Sequence, residues 1–79
     1  MDLYELGKEF ANLRKSKNIS QQTISKDLNI SRATISNFES GNCSDIGLKK
    51  VLQIADYLGY EINLKEKSSF PVFEDIING

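Results

Sequence analysis

Leu3, Leu6, Phe10 and Leu13 recur at steps of three, four and three, placing them along one stripe of an amphipathic helix that ends near Lys17. Asn18 then suits the left-handed exit. Ser20 follows as an N-cap, with Ile19 before it and Ile24 four residues after it, the spacing of a hydrophobic staple. A second helix is therefore expected from Gln21 to about Leu28. Beyond Asn29 the device repeats, because Ser31 caps a third helix while Ile30 and Ile35 take the staple positions. That helix ends near Glu39, and Gly41 with Asn42 marks the loop beyond it.

A fourth helix is signalled by Ser44 or Asp45 as cap, by Leu48, Val51, Leu52, Ala55 and Leu58 on one face, and by Gly59 as terminator. The period then changes. Tyr60, Ile62 and Leu64 alternate with Glu61, Asn63 and Lys65, the pattern of a half-buried strand. A lone strand leaves its backbone unsatisfied, and the pattern offers no second strand elsewhere, so a second copy of the chain is the expected partner. After Ser68 and Ser69, Pro71 suits a first helical position, with Phe73, Ile76 and Ile77 at helical spacing. The expected organisation is a domain over residues 1–67 and a short acidic, apolar tail over 68–79.

At 79 residues the chain has room for one domain. Its 39% apolar and 27% charged residues are ordinary for a globular protein, and no apolar run approaches the roughly 18 residues of a membrane span. The N-terminus carries Asp2, Glu5 and Glu9 instead of a basic region and apolar core, so a secretory signal is not expected there and a cytoplasmic location is. Cys43 is the single cysteine and there is no histidine, which excludes an internal disulfide and a zinc site built on paired cysteines. No metal or cofactor is expected. Asp45, Asp56, Glu61, Glu74 and Asp75 are dispersed, and Gly7, Gly41, Gly47, Gly59 and Gly79 build no phosphate-binding loop, so neither catalysis nor nucleotide binding is expected.

A net charge of −1 argues against bulk attraction to nucleic acid. The distribution is uneven, however, with eight Lys/Arg against six Asp/Glu in residues 1–50 and two against five in residues 51–79. Any surface for DNA is thus expected in the first part. Two short helices across a tight turn, with a longer helix before and another after, form the skeleton of a DNA-reading unit. Because Ile35 and Phe38 face inward, Arg32, Ala33, Ser36 and Asn37 are left on the outer side of the third helix.

The run ISQQTISKDLNISRATISNFESG, Ile19 to Gly41, resembles the Cro/repressor (Xre) family of helix-turn-helix regulators along its whole length. Through SDIGLKKVLQIADYLGYEINL it further resembles a branch in which a strand replaces the last helix, as in Hip-type antitoxins. The resemblance implies a mainly α, lambda-repressor-like bundle of four or five short helices, with one C-terminal strand, Tyr60, Ile62 and Leu64, used for homodimer pairing. It implies a sequence-specific regulator, a repressor, that reads the major groove of double-stranded DNA at a pseudo-palindromic operator. Arg32, Ala33 and Asn37 fall at the base-reading positions, where arginine suits guanine, asparagine suits adenine and an alanine methyl suits thymine. Gln21 opens the second helix, where free N–H groups favour a phosphate; its plainer reading is a polar residue of the capping region. Thr34, Ser40 and Asn42 lie within reach of a neighbouring phosphate, or serve only as turn formers. Arg14 and Glu39 are implied to form a structural ion pair. The alternative function is an antitoxin whose C-terminal part binds a toxin protein and which regulates its own operon.

Overall fold

In a computed structural model of the chain, the residues described are 1–42 and 46–67. They form α1 (Leu3–Ser16), α2 (Gln21–Leu28), α3 (Arg32–Ser40) and α4 (Leu48–Tyr57). The mainly α architecture agrees with the sequence pattern. Among the described residues no helix is long and apolar enough to cross a membrane.

Local signals set the first three helices. Asp2 caps α1 by accepting from the Glu5 N–H at 2.8 Å, and Asn18, at φ 57°, turns the chain out of it. Ser20 accepts from the Thr23 N–H at 3.0 Å and Ser31 from the Thr34 N–H at 3.1 Å, so each short helix opens on a serine that satisfies an otherwise orphaned donor. Asn29 (φ 56°) and Gly41 (φ 81°) close α2 and α3 in the left-handed conformation.

The core draws on every helix. Phe10, Ile24, Ile30, Ile35, Phe38, Ile46, Val51, Ile54, Ala55 and Leu58 are buried together, with Leu3, Leu6, Leu13 and Ile19 half-buried against them. Phe10 meets Phe38 edge to face, ring centres 5.5 Å apart. Each fully buried isoleucine, leucine, valine or phenylalanine of this set contributes roughly 1.5–3 kcal/mol. The α1–α3 contact is close because of Gly7, where a Cβ would lie 1.9 Å from the Phe38 carbonyl oxygen.

The fourth helix departs from expectation in two ways. It begins at Leu48 with Gly47 (φ 92°) as cap and no capping side chain, while Ser44 and Asp45 lie outside the described residues. Its buried stripe is Val51, Ile54, Ala55 and Leu58; Leu48 and Leu52, assigned to that stripe from the sequence, are 71% and 45% exposed. Packing rotates the helix so that Ile54 replaces them. Gly59 (φ 85°) ends the element as expected, the Tyr60 N–H returning to the Ala55 carbonyl at 2.9 Å.

No strand occurs among the described residues. Residues 60–67 run without regular structure, exposed throughout, with Ile62 44% and Leu64 fully accessible. The reason is physical: a strand needs a hydrogen-bonded neighbour, and none of the described segments offers an edge. The helix expected from Phe70 lies outside the described residues.

Candidate nucleic-acid interface

α2 and α3 are joined by Asn29, Ile30 and Ser31 alone. This turn is fixed from both sides, since the Ile30 N–H reaches the Ser25 carbonyl at 3.1 Å and the Ser25 hydroxyl donates to the Ile30 carbonyl. With Ile24 and Ile35 each 1% exposed between the two helices and α1, α2 and α3 form one stiff unit.

On α3, burial of Ile35 and Phe38 leaves Arg32, Ala33 and Asn37 exposed and Ser36 half-buried. The Arg32 and Asn37 side chains make no hydrogen bond or ion pair with another described residue, so their polar groups are available to a partner, and the Ala33 methyl lies exposed beside them. Thr34 is different. Its hydroxyl shares a 2.7 Å hydrogen bond with the Ser31 hydroxyl, within the N-cap. Ser40 donates to the Asn37 carbonyl at 3.3 Å, and the exposed Asn42 uses its backbone N–H to close on the same carbonyl at 3.0 Å. Ser40 and Asn42 thus take part in the turn after α3; the Ser40 hydroxyl uses its one donor there, while the Asn42 side-chain amide keeps both of its N–H donors.

Gln21 carries a bond that the sequence did not signal. Its side-chain amide donates to Glu39 Oε1 at 3.0 Å, from the first residue of α2 to the end of α3. Glu39 is in turn gripped by Arg14, whose Nε lies 2.8 Å from Oε2 and whose second terminal nitrogen lies 2.9 Å from Oε1. The remaining terminal nitrogen of Arg14 donates to the Ile19 carbonyl at 2.6 Å. Both charged side chains retain under a tenth of their exposure, 8% and 9%. The Arg14–Glu39 pair therefore fastens α1, the α1–α2 turn, the start of α2 and the end of α3. Above it Lys15, Gln21, Ser36 and Ser40 surround a shallow polar depression.

The bond to Glu39 uses one of the two N–H groups of the Gln21 side-chain amide and leaves the other as a donor. No acidic residue occupies the first turn of α2 or of α3, so the partial positive charge at each helix start is not cancelled locally. On the other side of α2, Tyr57 donates to Asp27 at 2.5 Å and ties α4 to the unit; that bond raises the phenol above its usual pKa. Neither the Gln21–Glu39 bond, eighteen residues apart, nor the Tyr57–Asp27 bond has a short-range signature. Among the described residues no cluster of histidine, cysteine, aspartate or glutamate is placed to hold a metal ion.

Residues 10–64 match the family model described as helix-turn-helix, a span that begins at Phe10 in α1 and includes α2, α3, α4 and the segment after α4. No curated protein and no solved structure matches the chain.

Proposed function

Since the chain belongs to the helix-turn-helix family of DNA-binding regulators, we propose that it is a sequence-specific repressor that reads the major groove with α3. The observation that carries this reading is the free outer face of α3. Arg32, Ala33 and Asn37 are exposed on a helix whose opposite face is locked into the core. Arg32 suits guanine O6 and N7, Asn37 suits adenine N6 and N7, and the Ala33 methyl suits a thymine methyl, with Ser36 beside them. Gln21, at the start of α2, contacts a flanking phosphate through the second N–H of its side-chain amide and the neighbouring backbone N–H groups, while the Thr34 and Ser40 hydroxyls, turned from their intramolecular partners, and the Asn42 amide contribute further phosphate contacts.

The reading includes a two-fold dimer in which Tyr60, Ile62 and Leu64 pair with the same residues of a second copy. Their exposure in the single chain supports it. Antiparallel pairing satisfies the backbone, and half-sites then lie about 34 Å apart or a multiple of it. Two copies also double the phosphates neutralised, so a net charge of −1 is no obstacle. Repression follows from occupancy, because a protein seated over both half-sites excludes others from that stretch.

Selection from randomised duplexes tests the proposal. A two-fold symmetric site is expected, with Arg32→Ala and Asn37→Ala each losing discrimination at one base position per half-site, about 1–3 kcal/mol. Should both variants bind the selected site as tightly as wild type, α3 is not the reading element.

A further inference from the structure

The exposed charges of α1 are sorted by side. Tyr4, Lys8, Ala11 and Lys15 follow one another at steps of four, three and four and so form one stripe along the helix. The exposed Glu5 and Glu9 lie roughly 100° further round the axis. Lysines placed only for solubility have no reason to segregate from the acids in this way.

The stripe adjoins the elements proposed to face DNA. At one end the Tyr4 ring occupies the space that a side chain at Gly41 would need, in the turn after α3 that also carries Asn42. At the other end Lys15 lines the polar depression together with Gln21 and Ser40, while the buried Ala11 keeps the stripe low between them. Lys8 lies over the Tyr4 ring, its ammonium 5.1 Å from the ring centre and 3.4 Å from the hydroxyl, which holds its charge on this side of α1. Neither Lys8 nor Lys15 forms an ion pair with another described residue.

Charge identifies the partner. Gln21, Ser40 and Asn42 are neutral donors, and Arg32 is directed at bases in the proposed reading, so those contacts alone leave the phosphates beside them without a cation. We infer that Lys8 and Lys15 bind the DNA backbone, extending the footprint from α2 and α3 onto α1 without adding sequence information. The two lysines are seven residues apart, about 10 Å along the helix axis. That is the rise of roughly three phosphates of one strand, so each lysine takes a phosphate of its own. Tyr4 and Lys8 precede residue 10, where the family match begins, and this arm of the footprint thus draws on sequence outside the matched span. The inference rests on the proposed reading of DNA by α3 and adds to it a surface that the reading does not require.

Fluorescence anisotropy of the full chain, on the selected duplex and on a random one, tests it across about 50–200 mM salt. The proteins are wild type, Lys8→Gln, Lys15→Gln, Lys15→Arg, and Lys15→Gln combined with Glu9→Gln. Each change to glutamine is expected to lower the slope of log affinity against log salt by about 0.9 per bound copy, and to weaken both duplexes about five- to tenfold near 0.1 M salt. Lys15→Arg keeps the charge and should keep the wild-type slope. Adding Glu9→Gln returns the net charge to −1 but supplies no cation to the stripe, so the slope should stay low. Slopes unmoved by both glutamine variants overturn the inference, as does recovery on adding Glu9→Gln, which would reduce the effect to net charge. A loss confined to the selected duplex also overturns it. In all three cases the α3 reading stands if Arg32→Ala and Asn37→Ala lose discrimination. A chain that binds neither duplex overturns both.

Discussion

Replacing Glu39 by alanine should be among the most damaging single changes in this chain, although the residue is charged and ends a helix. Arg14 is 6% exposed, and two of its three bonded nitrogens go to Glu39. Only the nitrogen on the Ile19 carbonyl keeps its partner after the change. Gln21 loses its acceptor as well. Stranding a buried charge in this way costs about 3–5 kcal/mol. A domain of 79 residues has a total stability of roughly 4–12 kcal/mol at typical per-residue values. The variant should therefore lie near the edge of folding, its Tm lowered by roughly 12–40 °C on the usual scaling. Removing both charges in Arg14→Met with Glu39→Leu should recover most of the loss, because the desolvation cost disappears with the pair. Urea unfolding followed by circular dichroism measures all three proteins. A loss below about 1 kcal/mol for Glu39→Ala would place the pair among ordinary surface ion pairs, and a double variant no more stable than the single would show that the stranded charge is not the cause.

Gln21→Ala should weaken binding to the selected site and to random duplex by similar factors, with sequence preference intact, as measured by fluorescence anisotropy; the lost bond to Glu39 should cost about 0.5–1.5 kcal/mol in a parallel urea titration. Gly7→Ala should destabilise by roughly 1–3 kcal/mol despite alanine's better helix propensity, because the new methyl meets the Phe38 carbonyl, a backbone atom. Lys8→Ala, one residue along and exposed, should stay within about 0.5 kcal/mol in the same thermal melts. The hydrogen bond to Asp27 raises Tyr57, so its contribution to stability is full below the unfolded value of 10.0 and is lost as pH rises through the folded one. Urea midpoints at about pH 8 and about pH 11 should then converge in Tyr57→Phe relative to wild type; an equal alkaline loss in both proteins would discount the bond.

The first three helices were legible because their signals are short-range. Ser20 and Ser31 bond three residues ahead, and Asn18, Asn29 and Gly41 each need only their own backbone to turn left-handed. Where packing decides, the pattern was ambiguous. The expected and observed stripes of α4 share Val51, Ala55 and Leu58, and the choice between Ile54 and the pair Leu48 and Leu52 depends on how the helix meets the rest of the core. The start of α4 was misplaced because Ser44 and Asp45 are favourable caps in sequence, whereas Gly47 caps without a side chain. The alternation over 60–64 reads as a strand in sequence, but among the described residues the segment has no regular structure and meets no edge to pair with. Of the site, the outward set on α3 followed from the inward pair Ile35 and Phe38, while the bond from Gln21 to Glu39 required the fold itself.

The carboxylate of Glu39 sits at the C-terminal end of α3, and the helix is anchored there and along its inner face, not at its outer N-terminal residues. On the proposed reading, stability and specificity are thereby lodged in different residues of the same nine-residue helix. Arg32, Ala33 and Asn37 can change identity with no loss of a core contact or of the buried network, at a cost within about 0.5 kcal/mol. If α3 reads DNA as proposed, a lineage carrying this scaffold can acquire a new operator by exchanging three exposed side chains, and a duplicated copy can diverge in target before it drifts in fold. Exchange at Gln21 is not free in this sense, because its side-chain amide also bonds Glu39 in the buried network.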